Sequence, residues 1–265
     1  MPPVRLATSN LLHGMALDDG TAVPELLAAA ARELDPDVLA LQEVDRGQPR
    51  SGGVDQVAVV ADAVGATWYH FVPTVLGTPG PRGWRGSAGS VDASGPAYGI
   101  ALVSRLPVTG AWVRQFAAAP GRLPLLVPDP RGRPRFALVP DEPRAALAVV
   151  VVGPNGPFTV VATHLSFVPG FNVYQLRTIT RWAAGWPRPR FLLGDLNLPG
   201  RVPALVSGWR SLVHAATYPS YAPRVQLDHV LADGYDARPD ARVAVAGAHR
   251  LRVSDHCALT ADVDP

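Results

Sequence analysis

The chain has 265 residues, 48% of them hydrophobic and 17% charged, which suits a filled core and excludes disorder. A formal net charge of +2, with arginines scattered apart from Arg131, Arg133 and Arg135, excludes a long polymer-coating basic surface. The single cysteine, Cys257, excludes an internal disulfide.

The N-terminus, Met1-Pro2-Pro3-Val4-Arg5, runs into a strand-like segment with no signal-type apolar core. No apolar run reaches the roughly 20 residues of a membrane span. A cytoplasmic monomer with no membrane span is therefore expected.

In chain order, the spacing of apolar residues predicts a strand over Val4–Asn10 and a helix over 22–34, with Pro24 in its first turn. A strand over 38–43, a Ser51-Gly52-Gly53 turn and a helix over 54–64 follow. Strands are predicted over 67–75 and 98–104. Residues 77–95 and 121–135, rich in Gly, Ser, Pro and Arg, read as loops.

Two apolar runs, 145–152 and 158–164, flank Pro154-Asn155-Gly156, a hairpin signal. A helix over 171–184 and strands over 190–194, 227–232 and 257–263 complete the series. Because some strands follow each other directly, pure βαβ repetition does not fit. A mixed, largely antiparallel set of sheets covered by helices does. No linker or internal repeat interrupts the pattern, so one domain over 1–265 is expected.

Polar residues stand where the apolar strands end. Asn10 closes the first, Gln42-Glu43 the second, and Gly194-Asp195-Leu196-Asn197 follows Phe191-Leu192-Leu193. Thr163-His164 ends another, while Leu227-Asp228-His229 and Ser254-Asp255-His256 open two more. Singly, an Asp or Asn after a strand is more often a turn residue, and a lone His more often a satisfied structural one. Repeated interruption of buried strands by charged groups demands partners or a metal. The oxygen-rich set of Asn10, Glu43, Asp195, Asn197, Asp228 and Asp255 suits Mg²⁺, with Mn²⁺ as the alternative. With no lysine there is no Walker motif, and neither a nucleophile elbow nor a His-Glu-x-x-His helix occurs.

The ordered series Thr8-Ser9-Asn10, Leu41-Gln42-Glu43, Thr163-His164-Leu165, Gly194-Asp195-Leu196-Asn197, Leu227-Asp228-His229 and Ser254-Asp255-His256 resembles the endonuclease/exonuclease/phosphatase (DNase I-like) superfamily. Asp45-Arg46-Gly47, Ser51-Gly52-Gly53-Val54-Asp55-Gln56 and Tyr98-Gly99-Ile100 are similar to its bacterial metal-dependent hydrolase branch. The resemblance implies a four-layer α/β sandwich of two mostly antiparallel mixed sheets flanked by helices. It also implies a phosphoester substrate, with nucleic acid among the options and a small-molecule or lipid phosphoester as the alternative.

Site roles follow from the same resemblance. Glu43 would be the principal metal ligand, helped by Asn10 and Asp255. Asp195 would position or activate the attacking water, and Asn197 would hold that water or the phosphate. His256, oriented by Asp228, would face the scissile phosphate, with His164 on the phosphate or the leaving group. Tyr98 and Arg144 are the substrate-binding candidates, and Arg82, Trp84 and Arg85 could serve a nuclease. Leu11 and Leu12 follow Asn10 where nucleases of the group often carry an acid, so no second metal is expected on that side. A catalytically silent binder would usually lack part of this set, and a pure nucleic-acid-binding module would carry a basic face.

Overall fold

The computed structural model describes residues 3–78, 84–87, 95–128, 134–235, 243 and 245–265. Its first sheet combines β1 (Val4–Asn10), β2 (Val38–Arg46), β3 (Trp68–Gly77), β4 (Trp84–Gly86), β5 (Ala97–Ser104), β14 (Ala246–His249) and β15 (Ala258–Val263). These form a 7-stranded sheet in the order β14-β15-β1-β2-β5-β3-β4. The second unites β6 (Val108–Phe116), β9 (Arg144–Gly153), β10 (Gly156–His164), β11 (Arg190–Asp195), β12 (Arg210–Ser211) and β13 (Asp228–Asp233). This 6-stranded sheet runs β12-β13-β11-β10-β9-β6.

Each sheet contains one parallel pair in an otherwise antiparallel set, β1 with β2 and β10 with β11. A parallel pair needs a crossover, and helices supply it. The first is α1 (Pro24–Leu34) and the second α3 (Phe171–Ala183). With α2 (Gln56–Val64) and α4 (Val202–Ser207), they make the two outer layers of a four-layer α/β sandwich.

Alternation along each strand sorts side chains between the layers. Val38 and Ala40 of β2 meet Leu147, Val149, Val160, Phe191 and Leu193 between the sheets. Their neighbours Leu39 and Leu41 turn outward to Leu27, Leu34 and Val57 of the helices. On the other sheet, Ala146, Val161 and Leu192 turn to Leu176 and Ile179 of α3. Covered on both faces, such strands read as continuous apolar runs, which is how they appear in the sequence.

Two expected loops contain strands. Residues 77–95 include β4, and residues 121–135 include β7 (Arg122–Pro128) and the start of β8 (Pro134–Pro140), which pair into a separate 2-stranded ribbon. Proline suggested loop because it lacks a ladder donor, yet every strand of a two-stranded ribbon has an outer edge that needs none. Of the arginines and aromatic noted in these segments, Arg82, Arg131 and Arg133 lie outside the described residues. The side chains of Trp84 and Arg135 do as well, and Arg85 is exposed.

Candidate active site

The parallel pairs explain where the polar residues meet. Asn10 ends β1, His164 ends β10 and Asp195 ends β11, so all stand at the carboxyl edges of parallel strands. Asp228 opens β13, which runs antiparallel to β11, and His256 precedes β15, antiparallel to β1. Antiparallel partners present their beginnings where parallel strands present their ends. His164 pairs with Asp195, and Asp195 with Asp228, in one row across the second sheet.

Backbone detail aims the side chains. In β2 the register against β5 shifts between Leu41 and Val44, and Glu43 there takes φ 56°. Such a bulge re-aims a side chain, and here Glu43 faces the cleft. At Gly194, φ is 152° and an added Cβ would stand 1.9 Å from the Thr163 carbonyl oxygen. Gly194→Ala is therefore expected to lower stability by about 2 kcal/mol or more, read by urea unfolding. A loss within about 0.5 kcal/mol, the range of a neutral surface change, would mean that β11 shifts freely.

A cleft of about 530 Å³ opens over this edge. Glu43, Tyr98, Arg144, His164, Asp195, Asn197, Asp255 and His256 line it. Asn10 and Asp228 stand behind the wall, each bonded to a lining residue. His229 does not reach the cleft; its Nε2 meets the Leu198 carbonyl at 2.9 Å, a structural contact.

Asp195 is held at both oxygens. Oδ1 accepts from the Asn197 backbone N–H at 2.9 Å and Oδ2 from Asn10 Nδ2 at 3.2 Å. Oδ2 also lies 3.5 Å from His164 Nε2 and 3.9 Å from His256 Nε2. Burial, with Asp228 adding repulsion, raises the Asp195 carboxyl to about 7 despite the pull of His256. His256 Nδ1 bonds Asp228 Oδ2 at 2.8 Å. Burial opposes the charged ring, but Asp228, then Asp195 and Asp255, bring it to about 10. Burial beside Arg144 and His256 keeps His164 well below its ordinary range and so neutral.

The Asn10 amide has a determined orientation. Its oxygen accepts from the Leu12 N–H at 3.1 Å, so Nδ2 faces Glu43 Oε1 at 3.0 Å and Asp195. Asn10 thus steers two carboxylates through its nitrogen. Asn197 Nδ2 likewise faces the Leu165 carbonyl at 3.0 Å and His164 Nε2 at 3.3 Å. Its oxygen is left for the cleft.

The donor chemistry fits a hard cation. Burial raises Glu43, with Asp255 and Glu142 adding to it, and burial likewise raises Asp255. Half-buried carboxylates crowded this way favour protonation or a cation. Ligand atoms of Asp195, Asp228 and His256 also lie within 4.8 Å of one another and could hold an ion. There, however, an ion would compete with the Asp228–His256 hydrogen bond, whereas Glu43 and Asp255 carry no such internal proton.

The family model of the Endonuclease/Exonuclease/phosphatase family matches residues 7–256. The chain belongs to this family. Members of the endonuclease/exonuclease/phosphatase family are generally hydrolases of phosphoesters. No curated protein matches the chain. Among solved structures, an endonuclease/exonuclease/phosphatase from Beutenbergia cavernae is similar, with TM-score 0.68 and 23% identity over 99% of this chain and 72% of that one. One from Bacteroides vulgatus has TM-score 0.65 and 16% identity over 100% and 99%. The mannosyl-6-phosphatase of Bacteroides thetaiotaomicron has TM-score 0.60 and 13% identity over 99% and 100%. These establish a shared fold. Among the described residues no helix is long and apolar enough to cross a membrane.

Among the described residues, four further polar ones line the cleft that strand-end reasoning did not single out: His13, Arg50, Glu142 and Tyr218. Tyr218 packs on His256 with ring centroids 4.9 Å apart. The available signal for Arg50 was its place five residues after Asp45, whose carboxylate it grips.

Proposed function

We propose that the chain is a divalent-metal-dependent phosphoester hydrolase, a single catalytic domain over residues 1–265 in which water attacks phosphorus. The observation that carries this reading is geometric: Asp195 Oδ2 stands 3.5 Å from His164 Nε2 and 3.9 Å from His256 Nε2, and Asp228 holds the other nitrogen of His256 at 2.8 Å.

Asp195 takes the proton of the attacking water as the new P–O bond forms and the ester P–O bond breaks, and the departing oxygen takes up a proton from solvent. Burial and the nearby Asp228 charge raise this carboxyl, which strengthens it as a base. Asn197, with its nitrogen spent on Leu165 and His164, accepts from that water through its oxygen and so orients it. An oxygen acceptor repels phosphate, which favours the water over the phosphate as its partner.

Charged His256 donates from Nε2 to a non-bridging oxygen, where negative charge gathers. Asp228 keeps the ring charged and aimed. Neutral His164 holds Asn197 in place without adding a charge that would suppress Asp195. Arg144, buried at the wall, and Tyr98 contact the substrate's anionic face. Glu43 and Asp255, with Asn10 steering Glu43, would hold Mg²⁺ or Mn²⁺. The cation supplies charge neutralisation of the phosphate and acidification of bound water.

A cleft of about 530 Å³ falls in the ~300–1,000 Å³ range of small-molecule sites, which favours a small phosphoester over a polymer. Bis-p-nitrophenyl phosphate is expected to turn over with Mg²⁺ or Mn²⁺, to stop with EDTA, and to recover when metal is restored. Undiminished turnover in EDTA would exclude the metal. No turnover of this ester, DNA, RNA, nucleotides, sugar phosphates or phospholipids would exclude the hydrolase reading.

A further inference from the structure

The cleft wall also carries Arg50, His13 and Tyr98. Arg50 is fixed there by a fork: Nε donates to Asp45 Oδ2 and Nη2 to Asp45 Oδ1, both at 2.8 Å. The guanidinium also lies over the Tyr98 ring, 5.5 Å from its centroid. Asp45 is fully buried and anchored, since its N–H donates to Gln56 Oε1 at 2.9 Å. Gln56 in turn donates to the His13 carbonyl at 2.7 Å.

A bland role for Arg50 would be to close the turn at 49–51. That turn is already closed by Ser51, whose hydroxyl donates to Asp45 Oδ2 at 2.9 Å and whose N–H reaches the Gln48 carbonyl at 3.2 Å. The arginine adds something the turn does not need: a rigid guanidinium on the cleft wall, about one-third exposed, with Nη1 outside the Asp45 fork. Guanidinium only donates, and a planar, pre-held one recognises carboxylate or phosphate oxygens. A phosphoryl group bound at Asp195 and His256 leaves the Arg50 wall of the same cleft for the rest of the substrate.

We propose that Arg50, held by Asp45 and backed by Tyr98, forms a second anion subsite that selects substrates bearing a phosphate or carboxylate beyond the scissile phosphoester. The inference rests on the hydrolase reading for its substrate class and names the part of the substrate that sets specificity.

The test compares α,ω-alkanediol bisphosphates of three to six carbons with the matching monoalkyl phosphates, by kinetics with Mg²⁺ or Mn²⁺ and by calorimetric titration. Wild-type protein should prefer at least one bisphosphate in kcat/KM and in Kd. Arg50→Gln should cut that preference about tenfold to a hundredfold, the range of a charge-assisted hydrogen bond, with the change in KM rather than kcat. Arg50→Lys, which keeps the charge but loses the fork, should fall between and serves if the Gln variant unfolds. Equal losses on both probe types, or a wild type without preference in either measurement, would overturn the subsite. An Arg50-dependent preference in titration without any turnover would keep the subsite and sink the hydrolase reading. Turnover with an unchanged preference would do the reverse.

Discussion

His256→Ala is expected to lower turnover by about 10²–10⁴-fold while leaving folding and metal binding nearly intact. The ring supplies the charge that meets the phosphate oxygens, and Asp228 holds both its protonation and its direction through the 2.8 Å bond at Nδ1. The competing role is packing: His256 lies against Tyr218 and precedes buried Cys257, just before β15. If packing were its whole contribution, the variant would lose thermal stability and keep its rate per folded molecule. Asp228→Asn refines the test, because the amide keeps the shape but removes the charge that supports the imidazolium. Its loss should mimic part of the His256 defect. The double variant should cost far less than the product of the two, since groups acting as a unit are non-additive. Fully multiplicative losses would place Asp228 on another task.

The meeting of the candidate residues was legible in the sequence wherever a polar group sits at a strand end. Apolar runs such as Phe191-Leu192-Leu193 cannot keep a carboxylate inside, so Asp195 marks both the end of β11 and the cleft edge. Parallel pairing then puts the ends of β1, β10 and β11 on one side. Arg50 was not legible in this way. It belongs to a turn, and only the fold shows that its partner Asp45 is buried and that its far end reaches the cleft wall.

Amide orientation was also hidden. Asn10 and Asn197 read as oxygen donors from residue type, but the Leu12 N–H and the Leu165 carbonyl decide which atom each presents. The exposed edge strand β6, with the pattern Val108–Phe116, lacks the two-sided burial that made other strands conspicuous. The β7–β8 ribbon was concealed by its prolines, because propensity carries no information about which edge of a strand needs a donor.

Glu43→Gln is expected to weaken Mn²⁺ binding by at least about tenfold to a hundredfold, a range that even outer-shell changes at metal sites reach. The same variant should lose activity at low metal and regain part of it at high Mg²⁺ or Mn²⁺. Glutamine keeps one oxygen donor but removes the charge that holds a hard dication. The contact from Asn10 Nδ2 to Glu43 Oε1, 3.0 Å in the wild type, can persist to the amide oxygen, so the side chain stays aimed. Removing a charge from a carboxylate that burial, Asp255 and Glu142 already disfavour should leave the metal-free protein as stable or more so. That combination separates a ligand from a structural acid: metal affinity falls while the metal-free unfolding midpoint holds or rises. A titration measuring bound Mn²⁺ directly reads the first quantity without relying on catalysis, and chemical unfolding in EDTA reads the second. If Mn²⁺ binding were unchanged, Glu43 would not be a ligand. The Asp195–Asp228–His256 group would then become the metal site to test, with Asp195→Asn as the variant.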